Sequence, residues 1–162
     1  MATEISNSND IIDSRDLIEI IDDMETERGY LVDAVEDAEE LIRQEMEAQE
    51  DGAAFDPSGD LTDALRKAQE DLDAWDENNG EEFATLKAFA AEFEDYCDDW
   101  THGVTLIRES YFTEYAEDFV KDVGDLPKNI PDYLVIDWDA TAENLKVDYT
   151  EGTFDGVTYL AR

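Results

Sequence analysis

The feature that most narrows the fold is a spacing. Leu17, Ile21, Met24, Arg28, Leu31, Val35, Ala38 and Ile42 follow one another at intervals of four and three residues. Such alternation keeps side chains on one stripe of an α-helix and gives the 3.5-residue repeat of a paired-helix seam. It predicts a helix from about residue 15 to about residue 49, capped by Asp13 or Ser14. Gly29 lies within it, costs ~1 kcal/mol relative to Ala and marks a place for a bend. Residues 48–60 (AQEDGAAFDPSGD) read as a loop. Asp60 then caps a second helix, where Leu61, Leu65, Ala68, Leu72 and Trp75 repeat the spacing. The two seams can zip together as an antiparallel hairpin or as part of a coiled coil. The first helix is the longer, so its surplus seam is left exposed or is covered by a second subunit.

Glu77-Asn78-Asn79-Gly80 predicts a break. A third helix follows, with Phe83, Leu86, Ala90, Phe93 and Cys97 on one face, ending near Trp100. His102-Gly103 turns the chain into a short strand over Val104–Ile107. Ser110 caps a fourth helix bearing Tyr111, Tyr115, Ala116, Phe119 and Val120, which Gly124 stops. Pro127 and Pro131 frame a loop. Leu134-Val135-Ile136 leads to Asp137, the cap of a fifth helix containing Ala140, Ala142 and Leu145. Asp155-Gly156 predicts a hairpin between Thr153-Phe154 and Val157–Leu160. The fold class is therefore α+β and mainly helical. A flexible N-terminus (1–12) precedes an acidic helical hairpin (13–78) and a small α+β domain with a short sheet (79–162).

Forty-six of the 162 residues are Asp or Glu and eleven are Lys or Arg, a formal net charge of −35. Folding does not need this and is hurt by it, because like charges four apart on a helix destabilise it and a large net charge repels itself. Crowding of this kind predicts raised carboxyl pKa values, and stabilisation by moderate salt or mild acid. The chain is not simply disordered: 42% of it is hydrophobic, with three Trp, seven Tyr and seven Phe for a core. The single Cys97 allows no intrachain disulfide and fits a reducing cytoplasm. The start, MATEISNSNDIID, lacks the regions of a signal peptide, and no apolar run approaches the ~18 residues of a membrane span. Direct contact with nucleic acid or an anionic membrane is disfavoured; a basic partner is favoured.

Little catalytic chemistry survives inspection. One His and one Cys supply no zinc site, and neither a nucleophile elbow nor a phosphate-binding glycine loop is present. A His102–Cys97 pair competes with the commoner role of Cys as a small core residue. Asp137-Trp138-Asp139-Ala140-Thr141-Ala142 has acids at calcium-loop positions one and three, but Ala where that loop needs Gly. With 46 carboxylates, no pair of them points to glycoside chemistry. The chain is expected to be no enzyme and to carry no metal or cofactor.

The acids have a geometry. Residues 33–50 hold Asp33, Glu36, Asp37, Glu39, Glu40, Glu45, Glu47 and Glu50. On a helix that is one carboxylate per ~3.4 Å of axis, the phosphate spacing of one strand of B-DNA. A second acidic helix alongside, with Asp63, Glu70, Asp71, Asp73, Asp76 and Glu77, would approach the duplex value of ~1.7 Å. Further clusters are Glu92, Glu94, Asp95, Asp98 and Asp99, then Glu114, Glu117, Asp118, Asp122 and Asp125. An ordinary solvated face would intersperse both signs. The readings open are a surface that imitates DNA, adaptation to a salty cytoplasm, and an acidic helical adaptor or histone-binding protein.

A resemblance favours the first. Tyr111-x3-Tyr115-Ala116, Val120-x-Asp122-x-Gly124, Leu126, Pro131, Leu134, Ile136-Asp137-Trp138-x-Ala140, Leu145 and Thr153-x2-Asp155-Gly156-Val157 occur in the order found in ArdA-type antirestriction proteins of phages and mobile elements. From about residue 80 to residue 162 the chain resembles that family. The resemblance implies a homodimer in the bacterial cytoplasm, with the C-terminal part contributing to dimerisation. It also implies that carboxylates imitate the phosphates of bent DNA and occupy the DNA groove of type I restriction–modification enzymes. The family's N-terminal β-containing domain has no counterpart here; a helical hairpin stands in its place. That leaves an anti-CRISPR or other anti-defence target open.

Overall fold

The computed structural model describes residues 5–48, 59–124 and 126–162. The expected loop over 48–60 falls, apart from its ends, outside the described residues, as do Glu50 and Asp125. The fold is α+β and mainly helical: strand β1 (Ile11–Asp13), long helices α1 (Ser14–Ala48) and α2 (Gly59–Glu94), a short α3 (Trp100–Gly103), β2 (Thr105–Arg108), a 3-10 turn (Glu109–Tyr111), α4 (Phe112–Asp122), α5 (Trp138–Lys146), β3 (Thr150–Phe154) and β4 (Val157–Ala161). Two compact units divide it, residues 21–84 and residues 1–20 with 85–162.

In residues 21–84 the spacing does what it predicts. Ile21, Met24, Arg28, Leu31, Val35, Ala38 and Ile42 of α1 are buried or half-buried, as are Leu61, Leu65, Ala68, Leu72 and Trp75 of α2. Arg28, the one charge in the first seam, forks onto Asp76, with Nε–Oδ1 at 2.8 Å and Nη2–Oδ2 at 3.1 Å. That contact fixes the direction of packing. Arg28 lies ~30 Å along the axis from Ala48, and Asp76 ~25 Å from Gly59. Parallel helices would part Ala48 from Gly59 by the sum, beyond the ~40 Å that eleven peptide links reach. The helices are antiparallel.

Two expectations are corrected. The helix does not break at Glu77–Gly80 but runs through it. Asn78 and Asn79 send their side-chain amides back to the carbonyls of Ala74 (2.7 Å) and Trp75 (3.2 Å) instead of ending the helix. The apolar face continues across the weak stretch, with the Trp75 and Phe83 rings edge to face at 5.8 Å. Seam burial outweighs local propensity, which here amounts to ~1 kcal/mol for Gly80 and less for each Asn. Because it runs on to Glu94, the second helix is not the shorter: within the described residues it has 36 residues against 35. Asp60 lies inside the first turn of α2 and is not its cap.

Residues 1–20 and 85–162 form a four-stranded antiparallel sheet in the order β1-β2-β4-β3. Ile107 pairs with Leu160, so both point to one face, where Phe112 and Ala116 of α4 and Ala142 of α5 complete a core. The alternate residues Phe154 and Tyr159 point to the other face and meet Phe89 of α2 at 4.9 and 5.4 Å. Helices thus cover both faces. Gly152 lets α2 approach: a Cβ there would lie 2.5 Å from the buried Phe93 ring. Ser14 is fully buried at the start of α1, its hydroxyl donating to Trp100 O (2.6 Å) and accepting from Val104 N (2.7 Å). The α1 cap is Asp13, which accepts from Arg15 N at 2.9 Å.

Local signals in this unit mostly hold. Asp137 caps α5 by accepting from Ala140 N, Gly124 follows α4 with φ +72°, and Asp155-Gly156 turns the hairpin with φ of 46° and 78°. Ser110 does not cap α4; it sits within the 3-10 turn, and the residue before α4 is Tyr111, without a side-chain cap. Strand β1 corrects the expected flexible N-terminus at its end, where Ile11 and Ile12 pair with Ile107 and Leu106.

The glycines separate into two kinds. At Gly29 and Gly80 nothing lies within 4 Å of a built Cβ, so Gly29→Ala and Gly80→Ala should each stabilise by about 0.5–1 kcal/mol. Gly152→Ala should cost about 1–3 kcal/mol, because the enclosed Phe93 ring cannot give way. Thermal denaturation of the three variants checks both signs.

Candidate functional site

The sequence places its chemistry on surfaces, and the structure sorts those surfaces. On α1 the seam occupies one face, and Asp33, Glu36, Asp37, Glu40 and Glu47 occupy the arc opposite. Asp33, Glu36, Asp37, Glu39 and Glu47 are exposed and form no ion pair among the described residues, although Arg43 feels the charge of Glu47. Asp22, three turns before Asp33 on the same arc, is exposed as well; sequence reasoning passed over it, though the spacing could have found it. Two expected members differ. Glu40 is bonded to Arg43 and Gln44. Glu45 falls where the 4-3 spacing extends beyond Ile42, and its Oε2 is covered.

The acids of α2 are more often compensated. Arg66 holds Asp63 (3.2 Å) and Glu70 (2.9 Å), Lys67 holds Asp71 (2.7 Å), and Arg28 holds Asp76. Asp73 and Glu77 are exposed and outside these pairs. The second line of charge is therefore sparser than its residue count suggests, and the pair of helices falls short of duplex density. In the other unit Glu94, at the end of α2, and Asp95, Asp98 and Asp99, in the turn after it, stand exposed. Glu92 is exposed too, but its carboxylate accepts from Thr153 N at 3.0 Å and ties α2 to β3. On α4, Glu114, Asp118 and Asp122 are exposed, and Glu117 is paired with Lys121.

Placement along the helices matters as much as density. A helix C-terminus carries partial negative charge and favours Lys, Arg or His. Neither α1 nor α2 has a basic residue in its last turn, and each has two acids there, Glu45 and Glu47 on α1, Glu92 and Glu94 on α2. These carboxylates sit where helix electrostatics would reject them.

The carboxyls displaced from their ordinary range move opposite to the crowding expectation. The hydrogen-bonded guanidinium of Arg15 lowers Asp13, that of Arg43 lowers Glu40, and that of Arg28 lowers Asp76. A lowered carboxyl stabilises the fold above its unfolded pKa, and that contribution is lost as pH falls through the folded value. At these three sites mild acid weakens the fold.

Other chemistry finds little support. Burial pushes the Cys97 thiol up, away from a nucleophile's range, while His102 is exposed beside the Thr101 hydroxyl at 3.3 Å. Among the described residues no group of three His, Cys, Asp or Glu could hold a metal ion, and no helix is long and apolar enough to cross a membrane.

Two outcomes follow. Glu47→Lys and Glu94→Lys should each raise the melting temperature, by about 0.3–1 kcal/mol of stability, because each puts the favoured sign at a helix C-terminus. Asp76→Asn should lower it slightly at pH 7 and leave it unchanged below the carboxylate range, where Asp76 is protonated in both states; denaturation at the two pH values checks this. Comparison with known proteins identifies no relative: no family model, no curated protein and no solved structure matches the chain.

Proposed function

We propose that the protein is a non-enzymatic DNA mimic that occupies the basic DNA-binding groove of a host defence enzyme. The observation that carries this reading is the line of uncompensated carboxylates on the outer arc of α1, continued into the helix C-terminus against the macrodipole. A surface shaped by folding alone would carry bases there. A surface selected to sit in a groove lined by Lys and Arg needs the acids, and needs them unpaired. Asp33, Glu36, Asp37 and Glu47, with Glu39 nearer the seam, fall on average about 5 Å apart along the axis, roughly one and a half times the phosphate spacing of one DNA strand. The mimicry is thus of one strand on α1, with weaker reinforcement from Asp73 and Glu77.

Type I restriction–modification enzymes are the first target, because residues 80–162 resemble ArdA-type proteins. CRISPR effectors are the second, because the hairpin replaces the part of that family that would extend the mimic. Binding is by competition: many rim charges steer the approach and none dominates. An acidic adaptor would instead bind through its seam, which in residues 21–84 is already occupied by the partner helix.

Displacement of a labelled duplex from a type I methyltransferase core, run beside the same assay on a CRISPR effector, tests this reading. The duplex should be released from one of them in proportion to added protein. Converting Asp33, Glu36, Asp37, Glu39, Glu47 and Asp73 together to their amides should weaken competition at least about a hundredfold. Glu40→Gln should change little. Loss of competition on any single amide substitution would show that a discrete site, and not a charged line, is at work.

A further inference from the structure

In a chain so rich in carboxylates, an arginine without one is unexpected. Arg162 forms no ion pair with any described residue. Its guanidinium instead lies 5.3 Å from the centroids of both the Phe119 and Tyr149 rings. A guanidinium held near aromatic rings still has its N–H groups for hydrogen bonds. That residue helps line a cavity of about 190 Å³ in the unit of residues 85–162, together with Asp99, Thr105, Ile107, Tyr115 and Tyr149. The volume is that of on the order of six waters, or of a small organic molecule.

Asp99 is exposed and bears the opposite charge within the same lining, yet it is not within ion-pair distance of Arg162. Two opposite charges that share the lining of a small cavity without an ion pair between them leave room for a molecule that carries both. The field of the whole protein selects in the same direction. A net charge of −35 repels a free anion, and a free cation has dozens of other carboxylates to visit. A zwitterion has no net charge for that field to act on and can satisfy both ends at once.

We propose that this cavity binds a small zwitterion bearing an ammonium and a carboxylate, the carboxylate bidentate on the Arg162 edge and the ammonium on Asp99. Planar carboxylate matches the planar N–H fork. Burial pushes the Tyr149 hydroxyl well above the ordinary phenol range, and its hydrogen bond with Tyr115 adds to this, so it stays a neutral polar wall across the working pH range. The lining is otherwise mostly polar, with the buried Ile107 closing its sheet side. This site is independent of the acidic line on α1.

The test is a titration of the intact protein with glycine, β-alanine and γ-aminobutyrate, and with acetate and methylammonium as half-ligands. It is followed by the ring NMR signals of Tyr115 and Tyr149 and by melting temperature. At least one zwitterion should shift the ring signals saturably and raise the melting temperature, with both half-ligands at least about tenfold weaker. Arg162→Gln and Asp99→Asn should each weaken the zwitterion at least about tenfold, and Arg162→Lys should do so less, since it keeps the charge but loses the fork. Asp99 is on the surface, so its variant reports binding even if Arg162→Gln unsettles the two rings. Ring signals unmoved by all three zwitterions, acetate equal to the best zwitterion, or unchanged affinity in Asp99→Asn would overturn the proposal.

Discussion

The rest of the structure depends on the apolar side chains of α2. In residues 21–84, Leu61 to Trp75 meet the seam of α1; in the other unit, Leu86 to Phe93 join a core where Phe89 meets Phe154 and Tyr159. A chain with 35 excess negative charges has few favourable electrostatic terms to draw on. What holds it folded is burial of these side chains, at about 25 cal/mol per Å² of apolar surface, and the close approach that Gly152 permits. The stretch Glu77–Gly80 is where the apolar pattern is weakest and where the helix would end if local preference decided.

The charge then distributes in a way that the fold tolerates but does not exploit. Where a base is available it is used structurally: Arg28 joins the two helices, Arg66 holds two acids on α2, and Lys146 bridges Glu109 and Glu143 beside the Phe112 ring. On the α1 arc Glu40 holds Arg43, while Asp33, Glu36 and Asp37 and the acids of the turn after α2 form no ion pair among the described residues. A partly compensated helix packed against a largely uncompensated one gives residues 21–84 two unlike acidic faces, and the α1 face is the one suited to a basic groove.

Much of this fold was legible because its signals are local. The seam spacing, the Asp137 cap, the Gly124 stop and the Asp155-Gly156 turn each require only a few neighbouring residues, and each stands as read. The misreadings share a cause. Strand β1 is three residues long and exists because Ile11, Ile12 and Asp13 pair with Ile107, Leu106 and Thr105 some ninety positions away. The continuity of α2 depends on packing that the Asn-Asn-Gly run does not advertise. Ser110, a good cap by type, lost that role to a 3-10 turn, while Ser14 became a buried tie to Trp100 and Val104. For the surface, the sequence located the acids but not their partners. Only the folded arrangement separates Asp33 and Glu36, free to face a ligand, from Asp76, engaged with Arg28 across the hairpin.

The central claim is that carboxylates in a line stand in for phosphates. The measurement that tests it most directly is the salt dependence of affinity for the target enzyme, determined side by side with that of duplex DNA for the same enzyme. If the acids of α1 act as phosphates do, the logarithm of affinity falls steeply and linearly with the logarithm of salt concentration for both ligands. The slope for the protein should shrink by several units when the five carboxylates of α1 and Asp73 of α2 become amides. An affinity that stays flat with salt, or a slope that those substitutions leave unchanged, would contradict it.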